Sequence, residues 1–137
     1  MEVLEKWHQI VEDQDLKLLK SIIAKDAVFY SPLLFKPQNG KAKVLGYLSA
    51  ASKMFVGTNF HYVKELVDKN TAVLEFNAEI DSIIIDGVDI ITWNDEGLIT
   101  EFKVMIRPFS AIQKVGEKMK ALLEEMSLWD KIKLKVS

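Results

Sequence analysis

A chain of 137 residues, 49% hydrophobic and 28% charged, has the size of one domain with a sizeable core and the balance of an ordinary globular protein. Its formal net charge of −2 comes from interspersed signs and Arg107 is the sole arginine, which excludes a basic nucleic-acid footprint and a clamp of several arginines on phosphate. Without cysteine there is no disulfide frame, thiol nucleophile or thiolate metal site, and no apolar run nears the ~20 residues of a membrane span, so a cytoplasmic protein is expected.

The opening "MEVLEKWHQI" is amphipathic and acidic, without the basic-then-apolar order of a signal peptide. Val3, Leu4, Trp7, Ile10 and Val11 recur at helical spacing and predict a helix over 2–13. Asp15 is placed to cap a second helix in which Leu16, Leu18, Leu19, Ile22 and Ile23 are apolar. "DAVFYSP" then changes character, and its β-branched and aromatic residues predict a short strand stopped by Pro32. "LLFKPQNGK" reads as a loop, and Lys41 to Phe55 as a third helix.

Four strand candidates follow, over 59–67, 71–81, 83–94 and 98–107. The last two read as a hairpin, with Asn94, Asp95 and Gly97 supplying residues that tolerate positive φ. Pro108 ends the sheet. Ser110 with Gln113 forms a capping box for a closing helix with an apolar stripe from Ile112 to Met126. The final "KIKLKVS" reads as a solvated tail. No repeat or linker interrupts the chain, so a single domain over 1–137 is expected. Helices segregated from a run of antiparallel strands predict the α+β class.

This order resembles the SnoaL-like proteins of the nuclear transport factor 2-like superfamily. The residues that carry the likeness are "WHQIVEDQDLKLLKSIIAKDAVFYSP", "NGKAKVLGYL", "LEFNAEIDSIIIDGVDIITWNDEGLI" and the closing "RP", covering nearly the whole chain. The resemblance implies a cone-shaped α+β barrel. A strongly bent, mixed or antiparallel sheet and three N-terminal helices enclose a pocket, with a fourth helix at the C-terminus. It also implies a homodimer through the convex sheet face. One fold hosts many sites, so the family's chemistries (isomerase, cyclase, hydrolase, dehydratase, non-catalytic subunit) stay open.

The resemblance to ketosteroid isomerases sharpens the candidate site. In those enzymes a tyrosine of the first helix and a protonated aspartic acid form an oxyanion hole, and a second aspartate is the base. Aligning the acidic turn, the strand-proline and the hairpin puts Asp89 at the oxyanion-hole acid, Trp7 at the tyrosine and Ser31 at the base. Indole still donates one hydrogen bond, but serine without a partner has no basicity near neutral pH.

Strand alternation places Asp89 on one face with Ile91 and Trp93. A carboxyl there reads either as a pocket acid, its pKa raised by apolar neighbours, or as a strand-end carboxylate satisfied by amides and water. His61 is a candidate base of ordinary histidine chemistry, and His8 is expected to face outward. Two histidines this far apart argue against a histidine-rich metal site, and no cofactor is expected.

The apolar set Phe102, Val104 and Ile106 should line the concave side, which turns Arg107 to the convex one and weakens a hydrolase network built on arginine. Trp7, Phe29, Ser31, Tyr47, Phe76, Ile91 and Trp93, with Leu74, are the candidate ligand-binding wall. Together they describe a mostly apolar site for a small hydrophobic molecule. Three functions fit: an isomerase-, cyclase- or hydrolase-type enzyme using Asp89 as acid or acid/base, a non-catalytic binding protein, or a dimeric interaction subunit.

Overall fold

The computed structural model describes residues 2–136, and side chains through Met126. The chain runs α1 (Val3–Asp13), α2 (Leu16–Ser21), β1 (Ile23–Tyr30), β2 (Gln38–Asn39), α3 (Lys41–Met54), β3 (His61–Asp68), β4 (Thr71–Ile80), β5 (Ile83–Trp93), β6 (Ile99–Arg107) and α4 (Phe109–Val136). The six strands form one curled, unclosed sheet in the order β2-β1-β6-β5-β4-β3. Only β1 and β6 run parallel; every other neighbouring pair is antiparallel. This is the mixed, bent sheet of a cone-shaped α+β fold.

Local chemistry accounts for most boundaries. α1 buries Val3, Trp7 and Ile10 along one stripe and stops at Gln14, which adopts the left-handed conformation at φ 53°. The Asp15 carboxylate accepts from the Leu18 amide at 3.0 Å, capping α2 as its sequence position suggests. α2 is shorter than its apolar residues imply. It ends at Ser21, and Ile22 and Ile23 leave it for the sheet, where the Ile22 carbonyl accepts from Ile99 at 2.7 Å and Ile23 pairs with Ile99. Two β-branched residues gain more from a pleated partner than from a last helical turn. The segment read as loop likewise contributes the two-residue strand β2, paired to β1 at Val28 and Phe29.

β4 and β5 alternate strictly between a buried and an outward face. Their turn is the two-residue pair Asp81–Ser82, both at positive φ, which matches the twist of the strands it joins. In the β5–β6 connection only Gly97 takes positive φ, while the Asn94 side chain accepts from the amides of Glu96 and Leu98. α4 starts at Phe109, with the Pro108 carbonyl accepting from Ala111 and Ile112, so Ser110 lies inside the first turn and the expected capping box does not head the helix. Lys114 and Lys118 of α4 each reach Asp81 at 3.4 Å. The solvated character expected of "KIKLKVS" lies outside the described side chains. Among the described residues, no helix is long and apolar enough to cross a membrane.

The core has two lobes. One joins α1, α2 and β1 to Ile91, Ile99 and Phe102; the other joins α3 and α4 to Phe76, Ile80 and Ile85. A cavity opens between the helices and the concave sheet face where these lobes meet.

Candidate functional site

The cavity has a volume of about 600 Å³. α1 contributes Trp7 and Ile10, α3 contributes Tyr47 and Leu48, and α4 closes the far side with Val115 and Met119. β6 presents Phe102, Val104 and Ile106, the set that alternation assigns to the concave side. Phe55, Phe60 and Phe76 form an aromatic wall, with Phe60 stacked on Phe76 at 4.8 Å between centroids. Apolar, aromatic walls of this kind are typical of small-molecule pockets.

One polar line runs through them. The Trp7 indole is a donor only, and its Nε1–H points to the Tyr62 hydroxyl at 2.9 Å. That leaves the phenol's own proton for Oδ2 of Asp89, at 2.6 Å. Asp89 is 5% exposed and lines the cavity. Its other oxygen, Oδ1, has no hydrogen-bond partner among the described residues. No buried side-chain oxygen is left unpartnered there, so Oδ1 keeps access to the cavity space. Burial pushes the Asp89 carboxyl up to about 7, against the opposing effect of the Tyr62 hydrogen bond. Burial also raises the Tyr62 phenol well above its ordinary value, and the adjoining Asp89 carboxylate adds to the rise.

Position on the curled sheet sorts the remaining candidates. Phe29, Tyr47, Phe76 and Ser31 line the cavity, with Phe29 stacked on Tyr47 at 5.2 Å. The Ser31 hydroxyl accepts from the Leu33 amide at 2.9 Å, so it braces a turn. Ile91 and Trp93 share the inward face with Asp89 but lie beyond the cavity end, in the core against α1, as does Leu74. His61 is exposed, with Nδ1 against the Asn59 carbonyl at 2.7 Å, and faces away from the cavity wall. Arg107 stands outside, its side chain 75% exposed and paired with Asp86. Among the described residues, no group of three or more His, Asp or Glu side chains is arranged to hold a metal ion.

Two residues enter the site that sequence reasoning placed elsewhere or passed over. Tyr62 is the hub of the polar line, and a signal for it was present: in "NFHYVKEL", Phe60 and Tyr62 sit at period two. The strand therefore turns its aromatics inward together and sends His61 out. His8, expected to face outward, does keep 43% of its side chain exposed, and it also borders the cavity, its ring edge-on to Tyr62 at 5.6 Å. Its Nε2 is hydrogen-bonded to Glu65 Oε1.

Comparison with known proteins gives three results. The family model of the SnoaL-like domain matches residues 4–102. No curated protein matches the chain at a significant level. Among solved structures, a steroid delta-isomerase from Pseudomonas aeruginosa is 34% identical, with 92% of each chain covered and a TM-score of 0.87. A protein with a cystatin-like fold from Silicibacter pomeroyi is 25% identical over 97% of this chain and 90% of the other, with a TM-score of 0.79. At 17% identity, a putative polyketide cyclase from Sinorhizobium meliloti is similar in fold, with a TM-score of 0.60 over 75% of this chain and 93% of the other.

Proposed function

The chain belongs to the SnoaL-like domain family, and from that premise we propose that it is an isomerase- or cyclase-type enzyme acting on a small hydrophobic carbonyl compound, with Asp89 as its acid. The observation that carries the reading is the Trp7–Tyr62–Asp89 line opening into an apolar cavity. The likeness to a steroid delta-isomerase supports it.

The chemistry follows from how the protons are committed. Tyr62 donates to Oδ2, so a proton on neutral Asp89 belongs on Oδ1, the oxygen with access to the cavity. From there it donates to a substrate carbonyl. As negative charge develops on that oxygen during enolisation, the hydrogen bond strengthens, and the apolar walls keep water from competing. Trp7 holds the phenol, and the phenol holds the acid, so the donor is in place before the substrate arrives.

A second reading, a non-catalytic binding protein for the same class of molecule, is favoured by Ser31. The resemblance puts that residue at the base position, yet its hydroxyl is engaged with Leu33. A β,γ-unsaturated ketosteroid, whose isomerisation creates an absorbing conjugated enone, separates the two. The enzyme reading expects turnover that falls roughly a hundredfold or more in Asp89→Asn. Binding of the steroid without turnover selects the second reading. Turnover unchanged in Asp89→Asn removes the acid role.

A further inference from the structure

An acid that polarises a carbonyl needs a partner that takes the proton from carbon. Asp89 offers none, and Ser31 is committed to its turn. At the cavity mouth, one residue along α1 from Trp7, His8 lines the same space. Its ring packs against Tyr62 at 85° to the phenol plane, while the Tyr62 hydroxyl reaches Asp89, so one aromatic side chain touches both groups. We propose that His8, oriented by Glu65, is the proton-transferring base that works opposite Asp89. The assignment rests on the reading of Asp89 as acid, and its proton steps are written for the β,γ-unsaturated ketone already chosen as the test substrate.

The hydrogen bond chooses the tautomer. An ionised Glu65 carboxylate only accepts, so His8 Nε2 carries the hydrogen and Nδ1 keeps the lone pair, with no partner among the described residues. Nδ1 takes the α-proton. The C–H electron pair forms the enolate double bond, and the carbonyl π pair moves to oxygen, where Asp89 donates to it. Nδ1–H then delivers the same proton to the γ-carbon, the carbonyl re-forms, and the double bond has moved into conjugation. The ring ends neutral, and no oxidant or reductant is consumed. While the ring is cationic it faces the charge of Glu65 from β3, with Glu12 one turn further along α1 at the same cavity. Glu65 is a positioning residue here, because it acts through the imidazole.

His8 is 43% exposed, so a small base from solution can reach the space it occupies. The test uses the full chain with the β,γ-unsaturated ketosteroid as substrate and a fluorescent naphtholic steroid as binding probe. In His8→Ala, kcat is expected to fall about a hundredfold while KM and probe affinity hold, and added imidazole is expected to restore part of the rate. Glu65→Gln is expected to cost about tenfold in kcat, again at unchanged KM.

Turnover of His8→Ala within about twofold of wild type overturns the assignment, as does a loss that imidazole does not relieve; both leave the Asp89 reading intact. Turnover unchanged in Asp89→Asn overturns the acid reading and the inference with it. So does a wild-type chain that neither binds the probe nor isomerises the substrate.

Discussion

Strand β5 carries two aspartates on opposite faces, and the same side chain meets opposite fates there. On the outer face, Asp86 accepts from Asn77 and Arg107, each at 3.1 Å. Partial burial works against its charge, but hydrogen bonds with Glu75, Arg107 and Asn77 outweigh that and hold its carboxyl below the ordinary value. Glu75 moves the other way, raised chiefly by its hydrogen bond to Asp86. On the inner face, Asp89 has, among the described residues, one phenol for company and no cation, and burial pushes it up to about 7. One aspartate is a fixed anion on the surface. The other is a group whose proton is available near neutral pH, and the difference lies in what each strand face supplies.

The most sensitive way to break this contrast is to follow stability against pH. Asp89 is raised from its ordinary 3.8 in the folded chain. Its favourable contribution is therefore complete below about pH 4 and is lost as pH rises through about 7, by on the order of 4 kcal/mol. Asp86 and Asp81 are lowered, so their contributions have the opposite sign and are lost only as pH falls below the ordinary carboxylate range. Urea unfolding should show wild-type stability declining from about pH 4 to pH 8 and an Asp89→Asn profile in which most of that decline is gone. A flat wild-type profile would count against a buried acid. NMR of the Asp89 carboxyl adds detail. Tyr62→Phe removes the hydrogen bond that lowers it, so its midpoint should rise further.

Between the two aspartates, Gly87 tests whether the inner face depends on close fit. It pairs across the ladder with Phe76, and a Cβ there would lie 2.2 Å from Phe76 Cζ. Gly87→Ala must push the ring off the aromatic wall, at an expected cost of about 1–3 kcal/mol. Thermal unfolding checks the cost. Loss of naphtholic-steroid binding, greater than the loss of stability alone explains, would show that the ring shapes the cavity.

How much of this contrast was legible beforehand depended on the range of the signal. Alternation in β5 put Asp89, Ile91 and Trp93 on one face, and the apolar set of β6 turned Arg107 outward, because period-two patterning is local. What alternation lacks is position along a curved surface. Ile91 and Trp93 share the face of Asp89 yet lie past the cavity end, since the curl of the sheet decides which part of a face lines space and which part packs core. Tyr62 and Glu65 gain their roles from residues 27 and 57 positions away, through contacts that no spacing encodes. The Asp15 cap of α2 and the Gly97 turn were readable from residue type, whereas the start of α4 and the positive-φ Asp81–Ser82 turn, which has no glycine, were not. Ile22 and Ile23 were misplaced because parallel pairing with β6 outranked their helical periodicity.

The smallest expected effect bears on whether the two faces are independent. Arg107→Ala removes a cation that is 75% exposed, and an ion pair so open to water contributes within about 0.5 kcal/mol. Stability should hardly change. The Asp86 carboxyl should nonetheless rise toward its ordinary value, because Arg107 supplies both a hydrogen bond and a charge. Asp89, whose shift comes from burial and Tyr62 without any contribution from Arg107, should titrate where it did before. Carboxyl resonances of both residues in one titration read this directly. If Asp89 moved together with Asp86, the sheet would be transmitting charge from its outer face to the cavity, and the acidity of Asp89 would be a property of the strand as a whole, no longer of the space it faces.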